Sequence, residues 1–180
     1  MRAPVDVQLD LPGVGANLQD HLQLRMAYKV DGVRTLNTAS AHWWGKLMIG
    51  MQYAFFQSGP MSMSPSQLGA FAKSDPDDRQ LTRPDLEYHV QPLSLDRFGE
   101  PLHRFNAFTA SVCQLRPTSR GSIHIESPNA STPPLIAPNY LSTDYDRRVA
   151  ANALRLTRRI AAALGFSDSV ENSIDGTAAR

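Results

Sequence analysis

The stretch from Thr143 to Gly165 constrains the fold of this 180-residue chain more than any other. Val149, Ala153, Leu156, Ile160 and Leu164 recur every three or four residues, while Arg147, Arg148, Arg155, Arg158 and Arg159 fall mostly on the opposite side. That spacing predicts an amphipathic helix with one apolar face seeking a partner layer. Thr143 followed by Asp146 offers a capping box at its start, and Gly165 ends it. What the preceding residues supply is mainly strands.

Residues 22–30 alternate apolar and polar side chains until Asp31-Gly32 turns the chain. Residues 67–74 read as a short strand closed by the turn at 75–78. Leu86, Tyr88 and Val90 alternate with Glu87, His89 and Gln91, and the β-rich run 105–116 suits a central strand. The segment 117–121 (Pro-Thr-Ser-Arg-Gly) turns the chain into 122–127, which predicts a hairpin with the run before it. Residues 40–57 read as a second helix, capped by Ser40. Trp43, Leu47, Met51 and Ala54 mark its face, and Trp44, Met48 and Phe55 broaden it. Ser58-Gly59-Pro60 stops it, with Gly59 as a left-handed cap. Residues 61–66 read as a loop, and 128–140, with four prolines, as extended and irregular. The pattern is α+β: a mainly antiparallel sheet of about five to six strands with amphipathic helices on one face. The other sheet face is left to meet something else.

Composition narrows the function. Eighteen basic and 17 acidic residues are well mixed, and the net charge is +1. That balance favours neither nucleic acid nor an anionic membrane as partner. No apolar run approaches the roughly 18 residues of a membrane span, and the first residues lack the apolar core of a signal peptide. Cys113, the single cysteine, excludes an internal disulfide and fits a reducing compartment. One cytoplasmic domain is expected. Lipase-type serine elbows, His-Glu-x-x-His, paired cysteines and phosphate loops are all missing. Asn129-Ala130-Ser131 is read as a chance glycosylation match, and Trp43-Trp44 as packing residues rather than a ligand cage.

Residues 11–21, Leu-Pro-Gly-Val-Gly-Ala-Asn-Leu-Gln-Asp-His, contain Gly13-x-Gly15. This is no dinucleotide fingerprint, because Leu18 holds the third glycine position and no strand–turn–helix unit surrounds it. The glycines permit a tight, close-packed turn, and Asn17, Asp20 and His21 are expected to supply local hydrogen bonds.

The same segment resembles, almost letter for letter, a signature of the glucose–methanol–choline (GMC) family of flavin-dependent alcohol oxidoreductases. Residues 115–127, 134–141 and the helix from Asp144 follow in family order, and 69–74 and 83–89 resemble strands of its substrate-binding domain. The resemblance runs from about Val7 to Leu164. It implies a choline-dehydrogenase-like flavoprotein that removes a hydroxyl proton and passes hydride from carbon to N5 of FAD. It divides the chain into 1–21, a boundary segment from the FAD-binding domain; 22–164, an incomplete substrate-binding domain; and 165–180, a tail departing from the family pattern. Asn17, Asp20 and His21 are the implied cofactor-side residues. The family's FAD fingerprint, its catalytic His and that residue's His or Asn partner would lie outside these residues. No histidine here (His21, His42, His89, His103 or His124) is therefore assigned as catalytic, and no metal ligand is assigned.

Choline-oxidising relatives carry a glutamate where this chain has Gln67. A buried cation needs a negative partner or aromatic cage, so a neutral amide implies an uncharged alcohol substrate; the alternative is that Gln67 is a surface strand residue. The overall expectation is the substrate-binding portion of an FAD-dependent alcohol oxidoreductase, inactive alone and prone to self-associate through its exposed domain interface. The alternatives are a non-catalytic binding module, or a complementing half that needs a separate FAD-binding chain.

Overall fold

The structure, a computed structural model, describes residues 7–97, 99–166 and 170–173. Its strands are β1 (Ala16–Leu18), β2 (Leu24–Lys29), β3 (Leu68–Ala72), β4 (Leu86–Gln91), β5 (Ala107–Gln114), β6 (Gly121–His124), β7 (Leu135–Ala137) and β8 (Val170–Ser173). The helices are α1 (Leu36–Ala39), α2 (Trp43–Phe56) and α3 (Asp144–Ala163), with a 3-10 turn at Pro60–Ser62. One antiparallel sheet has the order β3-β4-β5-β2-β8 and a smaller one the order β1-β6-β7. The fold is α+β, as the periodicities require.

The long strand β5 is central, flanked by β4 and β2. Leu24, Leu86, Tyr88 and Val112 pack against Val149 and Ala153 of α3, and Met26, Tyr28 and Ala110 against Ala161. Burying each of the larger of these side chains stabilises the fold by roughly 1.5–3 kcal/mol. The buried stripe of α3 is Asp146, Val149, Ala153, Thr157 and Ala161. It is rotated from the expected one, leaving Ile160 and Leu164 exposed. Ala153, Thr157 and Ala161 lie in the stripe against the sheet, and Leu154 and Leu156 pack beside it partly buried. The end of α3 matches expectation. Gly165 (φ 82) donates to the Ala162 carbonyl at 3.0 Å and Phe166 to that of Ala161 at 2.9 Å, a Schellman closure.

The expected hairpin over 105–127 does not form. Instead of returning along β5, the chain turns at Thr118 and Ser119, whose backbone amides donate to the Asp146 carboxylate at 2.9 and 2.7 Å. It then enters the smaller sheet, where β6 pairs with β1 and with β7 from the proline-rich segment. Only glycine permits that last approach: a Cβ on Gly121 would lie 2.1 Å from the Ala137 carbonyl oxygen. The capping box is half made. The Asp146 amide donates to Thr143 Oγ1 at 3.2 Å, but its carboxylate serves the turn at 118–119 instead.

Ser40 does not cap α2. It closes the short α1, its hydroxyl donating to the Leu36 carbonyl at 2.7 Å, and His42 occupies the N-cap of α2 without a side-chain cap bond. The left-handed C-cap is Gln57 (φ 49) rather than Gly59, which leads into the 3-10 turn. No residue of α2 is buried; it projects Trp43, Trp44, Met48, Phe55 and Phe56 to the outside. Among the described residues, no helix is long and apolar enough to cross a membrane.

Candidate functional site

Alternation along β4 and β5 gives the larger sheet two unlike faces. Leu86, Tyr88 and Val112 point to α3, so Glu87, His89, Gln91, Thr109, Ser111 and Cys113 point away from it. The register sets them in rows. Phe71, Glu87 and Cys113 form one; Gly69, His89, Ser111 and Arg25 form the next. The result is a polar face with short residues at its middle. On it, His89 Nε2 lies 3.5 Å from Glu87 Oε1.

At one end of this face is the segment containing residues 11–21. Gly15 (φ 76) turns the chain so tightly against β6 that a Cβ there would lie 2.3 Å from the Ile123 carbonyl oxygen. Ile123 N–H donates back to the Gly15 carbonyl at 2.7 Å. Gly13 meets nothing, so only one of the two glycines is required by packing. The hydrogen bonds of this segment are long-range as well as local. Asp20 accepts the His21 amide at 2.9 Å and also the hydroxyl of Tyr140. His21 Nε2 donates to the Leu115 carbonyl at 3.2 Å. Burial, the Asp20 hydrogen bond and the Asp20 charge together push the Tyr140 hydroxyl up to about 12. Asn17 is exposed in β1 with φ 60.

At the other end lies Gln67. Its backbone N–H donates to the Val90 carbonyl at 3.0 Å, leaving an exposed side chain, and the neighbouring Ser66 hydroxyl accepts from Gln91 Nε2 at 3.2 Å. Gln67 lines a groove of about 1110 Å³ running beneath α2, walled by Trp44, Met48, Phe55 and Phe56. Among the described residues Arg34 is the only charged one on its walls, and no carboxylate lines it. Four residues of β4 separate this end from the first, roughly 13 Å at strand spacing. Asp20 and His21 are thus brought together, and Gln67 belongs to a different part of the face.

Two features were not singled out from the sequence. The floor of the groove is partly α1, a helix too short to show periodicity. The other is the approach of His21 to Glu87 and Cys113: one ligand-type atom from each lies within 4.8 Å of the other two. The polar alternation of β4 was visible, but nothing in sequence order links residue 21 to 87 and 113. Burial and then the Glu87 charge push the Cys113 thiol up to about 11. Of the remaining histidines, His42 and His124 are exposed. His103 is held between Ser94 Oγ (2.9 Å) and Asp96 Oδ1 (3.0 Å).

An antiparallel sheet backed by one long helix, with a polar face and an apolar groove beside it, defines a layer that presents one side to a ligand or second layer. Comparison with known proteins gives that layer a family. Residues 117–179 match the GMC oxidoreductase family profile. The chain is 35% identical over 160 residues to the oxygen-dependent choline dehydrogenase of Xanthomonas campestris pv. campestris, covering 88% of this chain and 28% of the relative. It is 34% identical over 156 residues to the enzyme of the same description from Acinetobacter baumannii, covering 87% and 28%. Among solved structures, formate oxidase superposes with a TM-score of 0.74 at 21% identity, over 88% of this chain and 32% of that one. Pyridoxine 4-oxidase from Mesorbium loti superposes with a TM-score of 0.61 at 23% identity, over 88% and 27%. The chain belongs to the GMC oxidoreductase family. It spans a little over a quarter of the length of the curated relatives it matches. The family match continues to residue 179, beyond Leu164, where the motifs quoted from the sequence end, and β8 pairs with β2 within that stretch.

Proposed function

We propose that this chain supplies the substrate-facing part of an FAD-dependent oxidoreductase acting on a CH–OH group, and that it is inactive without an FAD-binding portion. The observation that carries the reading is the polar sheet face away from α3, adjoining the apolar groove at Gln67. On this reading residues 22–164 are substrate-binding and 1–21 form the boundary with the FAD-binding part, with Asn17, Asp20 and His21 on the cofactor side. The compartment proposed is the cytoplasm.

The residues present fit one side of FAD and not the other. Gly69 and Ser111 beside His89 leave room on the sheet face for a planar ring. The Gly13–Gly15 turn offers no phosphate cradle, since Gly15 spends its close approach on the backbone of β6. FAD, when bound, supplies the hydride acceptor. The groove residues hold the alcohol: Trp44, Met48 and Phe55 contact its apolar body, and the Gln67 side-chain amide hydrogen-bonds a neutral polar group. Glu87, whose Oε1 lies 3.5 Å from His89 Nε2, places a negative charge beside that ring on the same face.

A wall with one arginine and no carboxylate disfavours a trimethylammonium group, which supports an uncharged alcohol over choline. In an assembled enzyme, Gln67→Glu is expected to raise kcat/KM for choline relative to a simple primary alcohol by about tenfold, the equivalent of roughly 1.4 kcal/mol. Equal turnover of choline and simple alcohols with Gln67 in place would contradict the assignment.

The apolar outer face of α2 is read as the surface that meets the FAD-binding part. Uncovered, it promotes association. The chain by itself is expected to form oligomers in sedimentation velocity, shifted toward monomer by the double substitution Trp43→Ser and Leu47→Ser, exposed residues of α2 that do not line the groove. A clean monomer at high concentration that binds little hydrophobic dye would count against this surface.

The same purification tests the reading as a whole. Adding a separately produced FAD-binding portion should give a yellow complex that oxidises an alcohol. Stoichiometric FAD on the chain alone would contradict the division proposed.

A further inference from the structure

We propose that His21, Glu87 and Cys113 form a binding site for a divalent transition-metal ion, best suited to Zn²⁺. The site does not depend on the flavin reading. Three elements converge on it: the segment after β1, the start of β4 and the end of β5. Glu87 and Cys113 are direct cross-strand partners in the β4–β5 register, so the sheet fixes two of the three positions. His21 arrives from far away in sequence and stands over them, with all three ligand-type atoms within 4.8 Å of one another.

The donor set suits the ion. One thiolate and one carboxylate neutralise a divalent charge, and imidazole adds a neutral nitrogen. A sulfur–nitrogen–oxygen set selects zinc over calcium or magnesium, which prefer oxygen alone. Three protein ligands leave a fourth tetrahedral position for water or another donor. Without a cation, the Glu87 carboxylate opposes a thiolate beside it; an ion between the two makes that neighbour favourable. Ligand separations around tetrahedral zinc are roughly 3.5 Å, given bonds of about 2.0–2.3 Å. Closure of about an ångström is therefore needed. Exposed His21 and partly buried Glu87 would make it by small side-chain rotations toward the buried Cys113.

Outer contacts are also in place. The Leu115 carbonyl accepts from His21 Nε2 at 3.2 Å, which makes Nε2 the protonated nitrogen and leaves the Nδ1 lone pair for a metal. His89 Nε2 stands 3.5 Å from Glu87 Oε1, a second neighbour of that carboxylate. Metal-bound histidines and carboxylates ordinarily have such partners. Binding replaces the Cys113 S–H bond by a sulfur–metal bond and releases one proton to solvent; nothing is oxidised or reduced. The ion would tie residue 21 to the sheet.

The test is titration of the full chain, stripped of metal by a chelator, with Co²⁺ and then Zn²⁺. A stoichiometric cobalt complex is expected to show a thiolate-to-cobalt charge-transfer band, discharged by Zn²⁺ and lost in Cys113→Ser. His21→Gln and Glu87→Gln should each weaken Zn²⁺ binding by about 100-fold or more, beyond the roughly 10–100-fold of removing an outer partner. They also decide the matter should Cys113→Ser fail to fold, with circular dichroism reporting their own folding. His42→Gln should leave binding unchanged. Absence of the charge-transfer band from the folded chain would overturn the site. So would full affinity in both His21→Gln and Glu87→Gln, or loss of binding in His42→Gln.

Discussion

Replacing Asp146 by alanine is expected to destabilise the chain by about 2–4 kcal/mol, from roughly 1–3 for the buried Ser119 amide left unsatisfied and about 1 for the part-buried Thr118 amide. Asp146 is 1% exposed. It accepts the amides of Thr118 and Ser119 at 2.9 and 2.7 Å, the Ser119 hydroxyl at 2.5 Å, the Thr118 hydroxyl at 2.9 Å and Gln114 Nε2 at 3.1 Å. Through these bonds one carboxylate on α3 holds the crossing from β5 into the smaller sheet. Asparagine keeps the shape, but it turns an NH₂ toward a set of donors and gives up the charge. Urea unfolding at neutral pH measures both variants, and a loss below about 1 kcal/mol for alanine would mean that water replaces the carboxylate.

The same group sets an acid limb. Burial alone would raise its titration, but the bonds from Ser119 and Thr118 outweigh burial and hold the carboxyl well below the usual carboxylate range. A folded value below the unfolded one makes the contribution complete above the unfolded value of 3.8 and progressively lost as pH falls toward the folded value. Stability of the wild-type chain should therefore fall more steeply below pH 4 than that of Asp146→Asn, as followed by urea midpoints across that range. Parallel curves would remove Asp146 from the account of acid unfolding.

Gly15→Ala is the second large effect, about 2–5 kcal/mol. Roughly 1–2 comes from a left-handed backbone angle and about 1–3 from overpacking. At φ 76, the added methyl would lie 2.3 Å from the Ile123 carbonyl oxygen, which is backbone and unable to swing aside. The strain falls on the β1–β6 pairing, so amide exchange at Ile123, whose N–H donates to Gly15 at 2.7 Å, should accelerate in a partly folded variant. Gly13→Ala is the internal control: it meets nothing within 4 Å and should be close to neutral. Equal losses at the two positions would contradict the packing role given to Gly15.

Where the sequence alone sufficed, the signal was periodic. The alternation of β2 and β4, the central place of β5 and the existence of α3 all follow from apolar spacing, and the end of α3 from Gly165. Contacts formed across the chain left no such mark. The expected hairpin failed because Asp146 captures the turn at 118–119, a partnership about 27 residues long that spacing does not encode. The buried stripe of α3 was misplaced because the helix sets Ala153, Thr157 and Ala161 against the sheet rather than the larger Ile160 and Leu164. The candidate site divided similarly. Asp20, His21 and Gln67 were identified by resemblance to a family motif, whereas Glu87 and Cys113 join His21 only through strand register. The groove at Gln67 depends on α1, which periodicity cannot reveal in four residues.

The central claim is that this sheet face and groove present an alcohol to a flavin held by other residues. It is tested most directly by a chimera: the matching 160-residue region of the Xanthomonas campestris enzyme is replaced by this chain's own. The account predicts that the chimera binds FAD and that an uncharged primary alcohol bleaches the flavin anaerobically, with choline slower. A folded, FAD-loaded chimera whose flavin stays oxidised with every alcohol tried would contradict it.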